Sequence, residues 1–362
     1  MNLPKDLSRF GHHLILGLSG PTLSDEDKRV LSIVKPAGIL LLGRNFVHGV
    51  HYDSWLESLA TLLSDIYEYS ERSNMFITLD HEGGNVVRTP LPITRFPHAM
   101  LYGEYSREVA LATGQEIKSL GVNVSWAPVA DIHSNPTNPI IGHRAFGTSY
   151  EEVIQNSIEY MEGLRDTGLL TCAKHFPGHG DTSTDSHLEL PLVDCTLDEL
   201  RERELKPFEA MVKHGVPFVM TAHILYPKID PKKPATLSSL ILKKILREEM
   251  NYQGIIVSDD LDMKAVSDSF NNSNTLTEAF NAGCDMFIIA RNPSAGGDRT
   301  EILSNYFYDS LKNGSLSEET VEDAKIRVDR ILSVTPTYSV QRLEEQTLLE
   351  HYDLSLEIAC GG

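Results

Sequence analysis

A chain of 362 residues, 41% hydrophobic and 23% charged, has ample material for a core and none of the bias that marks disorder. Its 51 acidic against 32 basic residues leave a net charge of −19, and no Lys/Arg cluster interleaved with aromatics occurs, which excludes nucleic acid and anionic membrane as natural partners. Met1–Phe10 lacks a charged segment followed by an apolar one, and no apolar run reaches the roughly eighteen residues of a membrane span, so a cytoplasmic protein is expected. The cysteines Cys172, Cys195, Cys284 and Cys360 are too widely spaced for a disulfide framework or zinc knuckle; Cys172 and Cys284 read as small core residues.

Apolar runs bounded by turn residues predict eight strands, at Leu14–Leu18, Gly38–Leu42, Met75–Leu79, Val122–Trp126, Leu169–Ala173, Pro217–Thr221, Gly254–Val257 and Asp285–Ala290. Helical periodicity fills the gaps at 23–34, 52–70, 107–120, 150–167, 197–213, 238–250 and 276–282, and a closing pair follows at 298–312 and 317–332. Alternation of this kind makes a parallel sheet, and eight units make a single-domain (β/α)₈ TIM barrel over residues 1–336. A doubly wound open sheet ranks second, because neither a dinucleotide fingerprint nor a P-loop appears. Residues 337–362 read as an extension that packs on the barrel or frays.

A barrel gathers its chemistry at the C-terminal ends of its strands. After strand three comes Asp80-His-Glu-Gly-Gly-Asn-Val-Val-Arg88, and after strand four Asp131 and Gly142-His-Arg-Ala-Phe-Gly147. Strand five is followed by Lys174-His-Phe-Pro-Gly-His-Gly-Asp-Thr-Ser-Thr-Asp-Ser-His187, strand six by His223, and strand seven by Ser258-Asp-Asp-Leu-Asp-Met263. Pro177, Gly178 and Gly180 place the fifth group on a loop, where Asp185 and His187, two apart, leave the same side of an extended backbone. That suits a carboxylate holding one ring nitrogen while the other transfers protons. Asp259, nearest its strand end, reads as nucleophile, base or metal ligand; Asp260 and Asp262 read as helix caps. Arg88 and Arg144 either clamp a ligand or form loop salt bridges. His223 reads as a satisfied core histidine.

These motifs, with Ala282-Gly-Cys-Asp-Met286, resemble the β-N-acetylglucosaminidase branch of glycoside hydrolase family 3 from about Gly38 to Leu332. The resemblance implies retaining hydrolysis of terminal β-linked N-acetylglucosamine, with Asp259 as nucleophile and His187 with Asp185 as acid/base pair. It also implies sugar binding by Asp80, Arg88, Arg144, Lys174 and His175, no cofactor or metal, and cell-wall (anhydro)muropeptides as substrates. Departures from the family pattern fall at His81, Asn85 and His143. An imidazole suits both steps at neutral pH because it starts near 6.5, and Gly178 and Gly180 are expected to let the loop swing over bound sugar. The competing classes are a metal-dependent barrel hydrolase, which the Pro177-Gly178 break between His175 and His179 disfavours, and a non-catalytic amino-sugar-binding protein.

Overall fold

The computed structural model describes residues 6–182, 190–263, 273–290 and 299–361. Eight parallel strands carry the architecture: β1 (Leu14–Gly17), β2 (Gly38–Leu41), β3 (Phe76–Leu79), β4 (Val124–Ser125), β5 (Cys172–Phe176), β6 (Phe218–Thr221), β7 (Ile255–Asp260) and β8 (Met286–Ile289). Their hydrogen-bonded order is β4-β3-β2-β1-β8-β7-β6-β5. Parallel bridges Val124–Leu170 and Val129–Lys174 join the two remaining edges, so the sheet curls into the expected barrel.

Side chains alternate across this sheet. Ile15, Leu40, Phe76, Trp126, Cys172, Phe218, Met220, Val257 and Ile288 fill the barrel's interior, while Leu14, Leu16, Ile39, Leu41, Ile77 and Val219 pack outward against the helices. Three of those helices start at capping boxes, Ser24 with Asp27, Ser149 with Glu152 and Thr196 with Glu199, which satisfy first-turn N–H groups. The C-terminal residues form a helix, Glu345–Gly361, that buries Leu348, His351, Ser355 and Ile358.

Three local expectations are corrected. The fifth strand lies at 172–176, not 169–173, so Lys174 and His175 sit within it instead of on the loop; carboxylates from the segments after β3 and β4 make these polar residues compatible with burial. The helix expected over 197–213 is two, Leu197–Glu202 and Leu205–Lys213, broken where Arg203 leaves helical geometry. β7 runs on to Asp260, whose Oδ1 accepts from Ala290 N at 2.9 Å and Asp262 N at 3.0 Å and so caps a strand edge and a turn.

Two β-bulges shape the mouth of the barrel. Lys174 pairs with Met220 but Phe176 with Thr221, and Met286 pairs with Val257 but Ile288 with Asp260. The extra residues in β5 and β7 break the alternation, so the consecutive pairs Lys174/His175 and Asp259/Asp260 all line the mouth.

Candidate active site

The ends of strands β2 to β8 and the segments that follow them surround a cavity of about 520 Å³ at the C-terminal mouth of the barrel. Asp80, Arg88, Arg144, Lys174, His175 and Asp259 all line it, as do Glu82, His179, Asp260 and Asp262. Asp185 and His187 lie outside the described residues.

Glu82 is the hub of one network. Arg144 grips it with two N–H groups, Nε to Oε2 at 2.8 Å and Nη2 to Oε1 at 2.9 Å. Lys174, 2% exposed, places Nζ 2.5 Å from Glu82 Oε1 and 2.7 Å from Asp80 Oδ1. Burial alone would raise the Glu82 carboxyl, but the Arg144 and Lys174 charges and hydrogen bonds outweigh it and hold the group well below the usual carboxylate range. Burial alone would likewise lower Lys174, and the Asp80 and Glu82 charges hold it above its ordinary value. Arg144 therefore makes the loop salt bridge and lines the cavity too. With Nη1 also donating to Ile140 O at 3.2 Å, each Nη keeps one hydrogen for a ligand. Arg88 Nε is buried with no hydrogen-bond partner among the described residues.

Asp131 is the hub of a second network. Its carboxylate lies 2.7 Å from His175 Nδ1 and accepts from the backbone N–H groups of His175 (3.2 Å to each oxygen) and His179 (2.7 Å). Against complete burial, those partners keep it ionised. Asp131 Oδ2 thereby fixes His175 Nδ1 as a donor and leaves Nε2 as the other polar atom of the ring.

Asp259 lines the cavity at the top of β7, with Oδ1 accepting from Asp260 N at 2.8 Å. Burial would raise it; its interactions with His175 and His223, the Asp260 N–H and the Lys174 charge together hold it below its ordinary value, which leaves an anion at neutral pH. Its neighbour Asp260 goes the other way, pushed up to about 7 by burial and by Asp262. Two adjacent carboxyls thus have separated roles in charge.

The stem of the loop after β5 is clamped. Asn138 Nδ2 donates to His179 O at 2.8 Å and Gly180 O at 2.9 Å and contacts Thr182 Oγ1 at 3.1 Å; Tyr226 OH donates to Gly178 O and Arg203 to Asp181 at 2.6 Å. A Cβ on Gly180 would lie 1.6 Å from Ile132 O, so this glycine is needed for close packing here. Beneath it, Glu204 is 3% exposed and pushed up to about 7 by burial, against the pull of Arg203.

Sequence reasoning left Glu82, Asp131 and His223 out of the site. Glu82 and Asp131 carried a signal, each being a carboxylate within a few residues of a predicted strand's end or its continuation; their partners Arg144 and His175 lie 62 and 44 residues away and are invisible locally. Among the described residues, no group of three or more His, Cys, Asp or Glu is arranged to hold a metal ion, and no helix is long and apolar enough to cross a membrane.

Residues 13–333 match the glycosyl hydrolase family 3 N-terminal domain. The β-hexosaminidase of Methylococcus capsulatus is 35% identical over 321 residues, covering 86% of this chain and 92% of that one. β-Hexosaminidase A of Pseudoalteromonas piscicida is 34% identical over 368 residues, covering 94% of this chain, which spans only 61% of that protein's length. Among solved structures, a glycoside hydrolase family 3 β-N-acetylglucosaminidase from a Paenibacillus species superposes with a TM-score of 0.85 at 29% identity, over 98% of this chain and 69% of the other. NagZ from Neisseria gonorrhoeae, in complex with N-trifluoroacetyl-D-glucosamine, superposes with a TM-score of 0.77 at 27% identity, over 96% and 98% of the two chains.

Proposed function

The chain belongs to glycosyl hydrolase family 3 and is a glycoside hydrolase of the β-N-acetylhexosaminidase type, and on that basis we propose that it removes terminal, non-reducing β-linked N-acetylglucosamine with retention of configuration. Asp259 is the nucleophile, and His187 with Asp185 is the acid/base pair. The observation that supports this best is the state of Asp259: a carboxylate at a strand's C-terminal end, kept ionised against burial, in the cavity that also holds Lys174, Arg144 and Arg88. Its Oδ2 accepts no hydrogen bond from the described residues and is the atom to attack C1.

In the first step the Asp259 Oδ2–C1 bond forms as the C1–O bond to the aglycone breaks, and His187 gives its proton to the departing oxygen. In the second, water attacks C1, His187 takes the water's proton, and the carboxylate leaves. Asp80, Arg88, Arg144, Lys174 and His175 hold the sugar; the hydrogens left on Arg144 are available donors. That a structural relative holds an N-acylated glucosamine supports an acetamide-reading pocket. The finer reading, cytoplasmic recycling of cell-wall anhydromuropeptides, rests on the motif resemblance.

A 5-fluoro-N-acetylglucosaminyl fluoride should label Asp259, and Asp259→Ala should keep less than about a hundredth of wild-type kcat. In His187→Ala, a dinitrophenyl glycoside should still glycosylate the enzyme while unactivated sugar glycosides do not, so the ester accumulates. If both leaving groups suffer equally and no ester builds up, the proton donor is elsewhere and His179 is the next residue to test. Aryl β-N-acetylglucosaminide should far outrun aryl β-glucoside, and running each with phosphate identifies the acceptor.

A further inference from the structure

β6 and β7 lie side by side with Thr221 opposite Ser258, so His223 and Asp259 emerge from neighbouring strands at a similar level of the barrel mouth. His223 is 1% exposed. Its Nδ1 lies 2.8 Å from Thr236 Oγ1, which is also 3.1 Å from Ala222 O and 2.9 Å from Thr221 Oγ1; with the Thr236 hydrogen turned to Nδ1, the neutral ring carries its proton on Nε2. Nε2, by contrast, is buried and makes no well-formed hydrogen bond among the described residues, the backbone of Asp259 and Asp260 lying beside it. An unmade hydrogen bond inside a protein is costly, and its presence beside a proposed catalytic group calls for a reason. The two residues also act on each other electrostatically: burial lowers His223 while the Asp259 charge and the Asp259 and Asp260 backbone oppose that, and His223 helps to hold Asp259 down.

We infer that His223 is a positioning residue for Asp259: Thr236 pins the imidazole so that Nε2 is presented to the nucleophile's end of β7 and steadies the carboxylate as it attacks C1 and as it is released. This rests on the reading of Asp259 as nucleophile. Asp259 is also faced by Lys174 and His175 from β5 and by Asp260 on its own strand, so the test compares variants that leave those groups in place.

The readouts, on the full chain, are the rate of ester formation on Asp259 from the 5-fluoro glycosyl fluoride and the acid limb of kcat/KM. His223→Asn keeps an acceptor toward Thr236 and empties the Nε2 position; His223→Gln returns a donor near it. His223→Asn should slow ester formation about tenfold and move the acid limb up by roughly one pH unit, the scale of one lost hydrogen bond to a charged group, with a much smaller change in KM. His223→Gln should recover most of both. Thr236→Val, close in shape but without the pinning hydroxyl, should move both readouts the same way by less. A wild-type rate and limb in His223→Asn or in Thr236→Val, or a Gln variant no better than Asn, overturns the inference. If His223→Asn does not fold, Thr236→Val decides alone: shifted readouts support it and unshifted ones overturn it. Label absent from Asp259 in the wild type removes the nucleophile reading and this inference together; label present with unmoved variants removes only the inference.

Discussion

A buried ammonium is tolerable at Lys174 because two carboxylates meet it, and the second, Glu82, is shared with Arg144. Such a cluster is stable only when complete: removing one partner from a buried pair typically costs about 3–5 kcal/mol, because a desolvated charge is left behind. Glu204 shows the opposite case. Raised from 4.5 to about 7, it keeps its proton in the folded state after the unfolded chain has released it, so stability falls as pH rises between those two values. Glu204→Gln removes that penalty. It should stabilise the protein by about 1–3 kcal/mol at pH 8 and hardly at all at pH 4. Equal urea midpoints for both proteins at pH 8 would show that Glu204 ionises normally.

At the scale of elements, the C-terminal helix braces the loop after β3. His351 Nδ1 lies 2.8 Å from Glu116 Oε1, Glu116 accepts from Thr94 N at 2.7 Å and Thr94 Oγ1 at 2.6 Å, and Ser355 Oγ donates to Arg95 O at 3.0 Å. That loop begins with the cavity residues Asp80, Glu82 and Arg88. The bracing groups do not line the cavity, so their loss should act on stability and not on chemistry. His351→Ala should lower Tm by roughly 2–6 °C, as expected for a buried carboxylate that loses one of its three hydrogen-bond partners, with kcat unchanged. A kcat that falls while Tm holds would mean that the helix tunes the site instead of merely holding it.

For the whole molecule, the −19 charge sets how substrates arrive. A neutral disaccharide meets no long-range field, whereas an anionic muropeptide is repelled until salt screens the surface. Between low salt and about 0.2 M, where the Debye length shrinks to under about 10 Å, kcat/KM for the anionic substrate should rise roughly two- to fivefold, and that for N,N′-diacetylchitobiose should stay level. A fall with salt for the anionic substrate would reveal local basic steering strong enough to override the net charge.

The sequence by itself determined the (β/α)₈ plan and which stretches supply the site, because main-chain geometry and apolar periodicity are local: all eight strands were legible, and Asp80, Lys174 and Asp259 fell at or beside their ends. Only the tertiary structure decided what those residues touch. The apolar run stops the fifth strand at Ala173, yet the carboxylates of Glu82 and Asp131, far off in the chain, meet Lys174 and His175 and let β5 run through them. Period-two alternation turns adjacent residues to opposite faces, while bulges in β5 and β7, created by pairing with β6 and β8, bring both members of each adjacent pair to the barrel mouth. His223 reads as a satisfied core histidine until Thr236 is seen to satisfy one nitrogen and not the other. Strand register and barrel closure are properties of the assembled sheet, and hydrogen-bond and ion-pair partners depend on them, so no local pattern specifies them.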